Sequence, residues 1–301
     1  MRILFLIRSL NAGGAERQLV TLANGLARMG HDIHVALFYR GGVFEDALDA
    51  RVRIHSLDKR GRWDSLDFLF RWARLLRSIR PDIVHGYLSS SNLLALFARL
   101  VAPQALIVWG VRASNMDLSR YDWLARLESW TEAKLSRGGD LVICNSRSGA
   151  EYVIQRGFPA HSVKVVANGI DTEKFKPDQE ERRRIRAELN VPDDRILIGL
   201  AARLDPMKDH ATFLKVAHLL TQQRDDLQFV CIGSGSAAYA NSLKNMASKY
   251  GLESCLIWAG EREEMPAMYN ALDVAISSSY PIEKAFPIRM ARRWPAASRL
   301  L

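Results

Sequence analysis

Arg203 and Lys208 stand five residues apart within Ile196–Leu220, ILIGLAARLDPMKDHATFLKVAHLL, where an apolar run of strand character passes through a tight turn into an amphipathic helix. A helix begins with free backbone N–H groups that favour an anion. A guanidinium and an ammonium beside them make a pocket suited to a doubly charged diphosphate. The plain alternative is a solvated turn with two surface cations. Two glycine-bearing turns add to the chemistry. Asn11–Glu16 sets Gly13 and Gly14 against a helix start, and Cys231–Ser236 repeats the device with Gly233 and Gly235. Glycine there lets a ligand approach the backbone, or it serves only the sterics of a tight strand-to-helix turn.

The elements that must hold these turns alternate between strand and helix signals. Strands are predicted at Ile3–Ile7, Ile33–Tyr39, Val52–Leu57, Asp82–His85, Leu106–Trp109, Leu141–Asn145 and Val163–Val166. Helices are predicted at Ala15–Met29, within Lys59–Arg80, and at Ser91–Val101 and Tyr121–Ser136. The polar, aperiodic stretch ANGIDTEKFKPDQE then marks a linker. A second series follows, with helices Glu180–Leu189, His210–Gln223, Ala237–Tyr250 and Glu264–Ala271, and strands Ile196–Ala202, Gln228–Gly233, Leu256–Ala259 and Val274–Ser277. Apolar strands alternating with helices specify an α/β fold of parallel sheets covered on both faces. Two Rossmann-like domains are expected, 1–170 and 171–301, with ligands beyond the carboxyl ends of the strands and a cleft between the domains as the natural site.

Composition narrows the class. The chain has 301 residues, 48% hydrophobic and 25% charged, which suits two globular domains of ~150 residues. Cys144, Cys231 and Cys255 lie far apart in or beside apolar runs and show no metal-ligand spacing, as expected of a reducing, cytoplasmic compartment. The first apolar run is too short for a signal peptide, and Leu93–Val111 is interrupted by Arg99, Pro103 and Gln104, so no membrane span is predicted. The net charge of +9 admits two partners. Nucleic acid is disfavoured, because no zinc spacing, RNA-binding aromatic signature or helix-turn-helix pattern accompanies the charge. An anionic membrane leaflet fits better: Lys59–Arg80 mixes Arg and Lys with Trp63, Phe68, Phe70, Trp72, Leu75 and Leu76 at near-helical spacing. The competing place for such a helix is packed on a sheet with its cations outward.

GGAERQL in the first turn, VICNS at Val142–Ser146, NGID with Phe175 and Pro177, AARLDPMKDH, the Gly233–Gly235 loop, and SSSY before AFP occur in one order along the chain. Together they resemble the retaining glycosyltransferase family 4, of GT-B fold. The resemblance implies two Rossmann-like domains facing a cleft. It implies transfer of a sugar from a nucleotide diphosphate sugar to a glycan or lipid-linked acceptor, with retention and with neither metal nor cofactor. Bacterial surface polysaccharide or glycolipid synthesis at the cytoplasmic face of the inner membrane is the setting expected from it. Arg203 and Lys208 match the family's diphosphate-binding pair. Gly13 and Gly14 match the first-domain loop near the donor phosphate, and Gly233 and Gly235 the loop beside the nucleotide. Where the family shows an acidic residue and a proline, this chain has Ser234 and Ser236. His85 is the candidate for the family's sugar-contacting histidine, with Tyr87 where a second histidine often stands. Glu283 is the candidate for the first of two donor-side acids, one position further from Phe286 than the family spacing. Arg112 and Asn115, in GVRASN, are the acceptor-side candidates.

After AFP the family pattern stops. The chain reads IRMARRWPAASRLL, and the second glutamate, which in the family holds the nucleotide ribose, is absent. Met290–Arg299 can be encoded ATG GCG AGG CGA TGG CCT GCG GCG TCC CGN. Skipping two bases turns this into GEAMACGVP, and one added adenine in the Ile288 codon gives FPNSYGEAMACGVP, the family wording. The expectation is a frame change near Ile288, an out-of-frame tail over 288–301, an incomplete second domain and impaired activity; the alternative is a natural divergent tail. Two classes stay open beside each other: a glycosyltransferase, and a non-catalytic nucleotide-sugar or lipid-binding protein. A sugar-nucleotide epimerase of the same fold is a third reading that no residue favours.

Overall fold

The computed structural model describes residues 1–278 other than 12, 62, 63, 65 and 113–122. The chain divides into two compact units, Met1–Gly169 and the part from Ile170 onward.

The first unit is a seven-stranded sheet ordered β3-β2-β1-β4-β5-β6-β7. Its strands are β1 (Arg2–Ile7), β2 (Asp32–Leu37), β3 (Arg53–Ser56), β4 (Ile83–Tyr87), β5 (Leu106–Val111), β6 (Leu141–Cys144) and β7 (Val163–Val165). Every pairing is parallel, with Ile3 opposite both Ile33 and Ile83. The unbroken apolar run of β1 follows from burial on both faces. Leu4 and Leu6 enter a core with Trp72, Leu76 and Trp109, while Ile3, Phe5 and Ile7 enter another with Leu19, Val20 and Ala23. The connecting helices are α1 (Gly14–Arg28), α2 (Leu66–Ile79), α3 (Ser89–Leu96), α4 (Ala98–Val101), α5 (Trp123–Leu135) and α6 (Arg147–Gln155).

The second unit holds α7 (Gln179–Glu188), β8 (Ile196–Ala201), α8 (His210–Thr221), β9 (Leu227–Ile232), α9 (Ala237–Lys249), β10 (Leu256–Gly260), α10 (Met265–Ala271) and β11 (Val274–Ile276). Its parallel strands run β10-β9-β8-β11. Buried Arg186 fastens α7 to the start of β11: its guanidinium donates to Asp273 Oδ2 at 3.1 Å and to the carbonyls of Pro192 and Arg195 at 2.6 and 2.7 Å. Asp273 also accepts from the Leu197 N–H at 2.8 Å, so this buried cation is compensated by a carboxylate and carbonyls.

Three local differences separate structure from periodicity. The helix expected over Ser91–Val101 starts earlier and breaks at Phe97, where N–H groups reach back three residues, Phe97 to Leu94 and Leu100 to Phe97, both at 3.1 Å. α6 occupies a stretch whose patterning predicts no element. It is nine residues long, with only Gly149, Ala150 and Val153 buried, and Ser146 caps it by accepting from the Gly149 N–H at 3.0 Å. The basic helix begins only at Leu66, and Phe68, Trp72, Ala73, Leu76 and Ile79 face the sheet. Of the membrane-facing aromatics expected there, Phe70 is exposed and Trp72 is fully buried; Trp63 lies outside the described residues. No helix among the described residues is long and apolar enough to cross a membrane.

Candidate functional site

In the second unit the chain leaves β8 toward β9 and β10 on one side, and returns to its other side with β11. The crevice beyond the carboxyl ends of β8 and β11 is therefore the switch point at which open α/β sheets bind ligands. The loop that follows β8 carries Arg203 and Lys208. The loop after β9 holds it: the Ala202 N–H donates to Ile232 O at 2.9 Å, the Leu204 N–H donates to Ser234 O at 2.8 Å, and Leu204 bridges Gly235 as in a parallel ladder. This contact explains both glycines. A Cβ on Gly233 would lie 2.2 Å from Ala202 O, and one on Gly235 would lie 2.1 Å from Leu204 O. Gly233 also takes a φ of +139°, open to glycine and strained for other residues. The pair thus lets two backbone segments touch, and this positions the cations.

The cations do not stand alone. Arg203 donates to Asp205 Oδ2 at 2.9 Å while its side chain stays 67% exposed. Asp205 accepts from the Met207 N–H at 2.9 Å and so starts the short turn Pro206–Lys208. Asp209, at φ +48°, caps α8 by accepting from the Thr212 N–H at 3.2 Å. Two backbone donors expected to greet an anion are thereby already satisfied by carboxylates, which corrects the picture of a free helix start. Ser278, past the end of β11, donates through Oγ to the carbonyls of Lys208 and Asp209 at 2.9 and 3.1 Å. It ties the end of the returning strand to the cation loop, and sequence patterning gave no hint of it. Ser234, where the family carries an acid, donates to Glu261 Oε2 at 2.8 Å, so a carboxylate reaches this loop from the end of β10. His210, the first residue of α8, is fully buried, and burial holds its pKa below the ordinary value, so it stays neutral.

In the first unit the order reverses between β1 and β4. Gly13 is the N-cap of α1 in extended conformation and Gly14 opens the helix. A Cβ at Gly13 would meet only the carboxylate at the far end of the Glu16 side chain, and one at Gly14 meets nothing within 4 Å. Neither glycine is required by packing, unlike Gly42, whose Cβ would fall 2.3 Å from the Leu10 carbonyl carbon. In the middle of β4, two residues before its carboxyl end, His85 is 4% exposed and its ring lies 5.4 Å from Phe5 and 4.7 Å from Tyr87. Burial, with the Arg112 charge adding to it, pulls the imidazole down to about 3, and it is neutral at any physiological pH. Leu88 follows at φ +70° and ψ 163°, a conformation costly for a side chain with a Cβ, of the kind found where a site dictates the backbone.

Arg112, just past β5, donates to the Tyr87 hydroxyl and to Asn168 Oδ1, both at 2.9 Å, with its guanidinium 4.7 Å from the Tyr87 ring centroid. The Gln18 amide grips the next residue, Gly169, accepting its N–H at 3.1 Å and donating to its carbonyl at 3.0 Å. Motifs far apart in the chain, GGAERQ, HGYL, GVR and NGID, thus meet at the carboxyl ends of β1, β4, β5 and β7. Of the expected residues the structure joins Gly13, Gly14, His85 and Arg112 to this end of the first sheet, and Arg203, Lys208, Gly233 and Gly235 to the switch point of the second. Asn115 and Glu283 lie outside the described residues. Among the described residues no group of three or more His, Cys, Asp or Glu is placed to hold a metal ion. Burial raises the thiols of Cys144 and Cys231 to about 11 and about 12, so both are unreactive packing residues.

The family model for Glycosyltransferase Family 4 matches residues 12–174, and that for Glycosyl transferases group 1 matches residues 181–290. A relative from Escherichia coli, the UDP-Gal:alpha-D-GlcNAc-diphosphoundecaprenol alpha-1,3-galactosyltransferase, is 24% identical over 284 residues, covering 88% of this chain and 73% of its own. Another, from Campylobacter jejuni, the GalNAc-alpha-(1->4)-GalNAc-alpha-(1->3)-diNAcBac-PP-undecaprenol alpha-1,4-N-acetyl-D-galactosaminyltransferase, is 25% identical over 295 residues, with coverages of 93% and 73%. Among solved structures, Anabaena Alr3699/HepE in complex with UDP and glucose superposes with a TM-score of 0.77 at 22% identity, covering 93% of this chain and 74% of that one. That likeness shows the GT-B fold. With the first model spanning more than half of its residues, and a glycosyl transferases group 1 match following in the second unit, the chain belongs to glycosyltransferase family 4.

Proposed function

We propose that this chain transfers a sugar from a nucleotide diphosphate sugar to a glycan or lipid-linked acceptor, with retention at the anomeric carbon. The observation that carries the reading is the loop after β8, where Arg203 and Lys208 stand at a topological switch point, fixed by the glycine contacts at Ala202 and Leu204. Breaking the bond between the anomeric carbon and the diphosphate oxygen leaves negative charge on the diphosphate. A fixed guanidinium and ammonium stabilise that charge as it forms, without a metal ion. Arg203 serves this role by turning from Asp205 to the phosphate, an exchange of one charged partner for another. Gly13 and Gly14, free of packing demands, leave the start of α1 open to the donor. Arg112 and Asn115 are assigned to the acceptor. Glu283 is placed by sequence five residues after Ser278, which is bonded to the cation loop, and it is assigned to the transferred sugar. His85 is assigned a positioning part: buried and neutral, it packs against Tyr87, which Arg112 holds by its hydroxyl.

The relatives named for undecaprenol-linked acceptors support a lipid-linked acceptor, and we place the transfer at the cytoplasmic face of a bacterial membrane. The neighbour holding UDP and glucose supports a nucleotide diphosphate donor. We further propose that the frame changes near Ile288, that the ribose-binding glutamate is lost with it, and that the chain as written transfers sugar poorly. The family match ending at residue 290 supports this. The missing glutamate also favours a second reading, a non-catalytic nucleotide-sugar binder.

One experiment separates these readings. A panel of nucleotide sugars is screened by thermal shift and by turnover on this chain and on the chain with the adenine restored. Turnover confined to the restored chain, and lost in its Arg203→Ala and Lys208→Ala forms, is the expected result. Equal binding by both chains with turnover by neither would replace the enzymatic reading with the binding one. Normal turnover by the chain as written would remove the frame-change proposal.

A further inference from the structure

The chain turns out of β4 at Leu88, whose φ of +70° and ψ of 163° fall in a region that glycine enters freely and leucine only under constraint. Hydrogen bonds supply the constraint. The Leu88 N–H donates to Gly110 O at 3.1 Å, the Leu88 carbonyl accepts from the Asn92 N–H at 2.9 Å, and Asn92 Oδ1 accepts from the Gly110 N–H at 3.2 Å. The turn presses the start of α3 onto the strand, so that a Cβ on Gly86 would lie 2.8 Å from Ser91 O. Asn92 is fully buried, and its amide is aimed by a residue 40 positions further along the chain. Glu132 of α5, only 2% exposed, accepts from Asn92 Nδ2 at 3.0 Å through Oε1 and from Ser89 Oγ at 2.9 Å through Oε2. One carboxylate thus grips the residue after Leu88 and the residue that holds the Leu88 carbonyl. Arg156 Nη2, 3.7 Å from Oε2 and anchored on the Ser129 hydroxyl at 2.6 Å, offsets the buried charge.

We propose that Glu132 is a positioning residue for the acceptor: through Ser89 and Asn92 it holds Leu88 in its strained conformation and so fixes the Tyr87 hydroxyl that orients Arg112. Two observations set this apart from a bond that serves the fold alone. A glycine at position 88 would make the same turn without strain, yet the chain places leucine there and buries an anion to hold it. Strain that the surroundings over-determine is kept where a site needs the backbone in one place. The strained residue also directly follows Tyr87, whose buried ring packs 4.7 Å from His85 and 6.1 Å from Phe5 and whose hydroxyl accepts from Arg112 at 2.9 Å. Relaxing Leu88 turns the Cα–Cβ bond of Tyr87 and carries that hydroxyl away. Arg112 then keeps the Asn168 Oδ1 bond and loses the other anchor that sets the plane of its guanidinium. The inference deepens the proposed reading and rests on it for the ligand, since Arg112 is assigned to the acceptor there.

The test is NMR of the full chain with tyrosine Cζ isotopically labelled, the Tyr87 line being assigned by Tyr87→Phe. Glu132→Ala should move that line, and Leu88→Gly in the same chain should return it, because glycine keeps the turn without strain. Glu132→Gln, whose side-chain oxygen still accepts a hydrogen bond, should hold the line near its wild-type place. Circular dichroism checks folding. Ser89→Ala removes one of the two bonds to the carboxylate at a half-buried position; it should move the line in the same direction by less, and it decides the matter if Glu132→Ala does not fold. In the chain with the adenine restored, Glu132→Ala should lower kcat/KM for a prenyl diphosphate-linked sugar acceptor at least about tenfold and leave the donor KM unchanged, with Leu88→Gly restoring most of the loss. A Tyr87 line unmoved in Glu132→Ala and Ser89→Ala, a displaced line that Leu88→Gly does not return, or a donor KM that rises together with the acceptor KM would overturn the proposal. Absence of transfer from every chain would remove the transferase reading, and the Tyr87 line would still decide this one.

Discussion

Gln18 and Gly169 are 151 positions apart and exchange two hydrogen bonds, the Gln18 amide accepting the Gly169 N–H at 3.1 Å and donating to its carbonyl at 3.0 Å. One side chain of the first helix thereby satisfies both backbone polar groups of the last residue of the first unit. Arg112 holds the neighbouring Asn168 side chain at 2.9 Å, so the turn that leads out of the sheet is fixed from two sides.

Gln18→Ala removes both bonds at an exposed position, where water replaces the partners. A loss of about 1 kcal/mol in unfolding free energy is expected, with Gln18→Glu, which can still accept but no longer donate, falling between. Urea unfolding followed by circular dichroism measures it, and an unchanged midpoint for Gln18→Ala would show that the turn is held without the clamp.

Lys208→Ala removes an ammonium that no carboxylate in the loop engages in an ion pair, and it should weaken nucleoside diphosphate binding about ten- to a hundredfold. Asp205→Asn should act in the other direction on Arg203, releasing the guanidinium from its 2.9 Å ion pair. Titration calorimetry with a nucleoside diphosphate reads both. Tighter binding in Lys208→Ala would remove the lysine from the diphosphate site.

The two glycine turns should respond differently to alanine. Gly235→Ala drives a Cβ into the Leu204 carbonyl and Gly233→Ala into that of Ala202, where backbone must move. Each is expected to cost about 2 kcal/mol or more. Gly14→Ala meets open space at the first position of α1 and should be neutral or stabilising by roughly 0.5–1 kcal/mol. If Gly14 borders the donor phosphate, that stable variant loses activity. Denaturation midpoints and donor affinity measured on the same variants separate packing from binding.

Acid should destabilise the first unit through histidines buried in neutral form. His85 is pulled down from 6.5 to about 3, and His34 and His55, whose rings stack with Nδ1 of the first 2.8 Å from Nε2 of the second, are also lowered by burial. A folded pKa below the unfolded one means that the unfolded chain binds protons first. Stability is therefore complete above about pH 6.5 and falls as pH drops toward the folded values. For His85 alone the slope is about 1.4 kcal/mol per pH unit between roughly 6 and 3. Unfolding measured from pH 7 to 4.5 should show His85→Asn lower in stability at pH 7 and flatter in its pH dependence. A slope unchanged by that substitution would mean that the folded ring takes up its proton as readily as the unfolded one.

The amino-acid sequence by itself determined the elements and their class. Continuous apolar runs such as RILFLI and ILIGLA must be buried on both faces, and alternation with amphipathic helices leaves parallel sheets as the way to bury them. It also placed Arg203 and Lys208 at a strand-to-helix turn, because that turn is local. α6 escaped since only three of its nine residues are buried, too few to set a period. Tertiary structure alone decided what meets across sequence distance: Gln18 with Gly169, Arg112 with Tyr87 and Asn168, and Ser278 with the carbonyl of Lys208. It also decided that the glycines after β9 serve a carbonyl contact. It turned α5 so that its tryptophans face out, because Arg156, Ser89 and Asn92 arrive from other elements to satisfy the polar side of the helix. Periodicity states which residues share a face. Which face is turned inward depends on the partners waiting there, and the fold brings those from elsewhere in the chain.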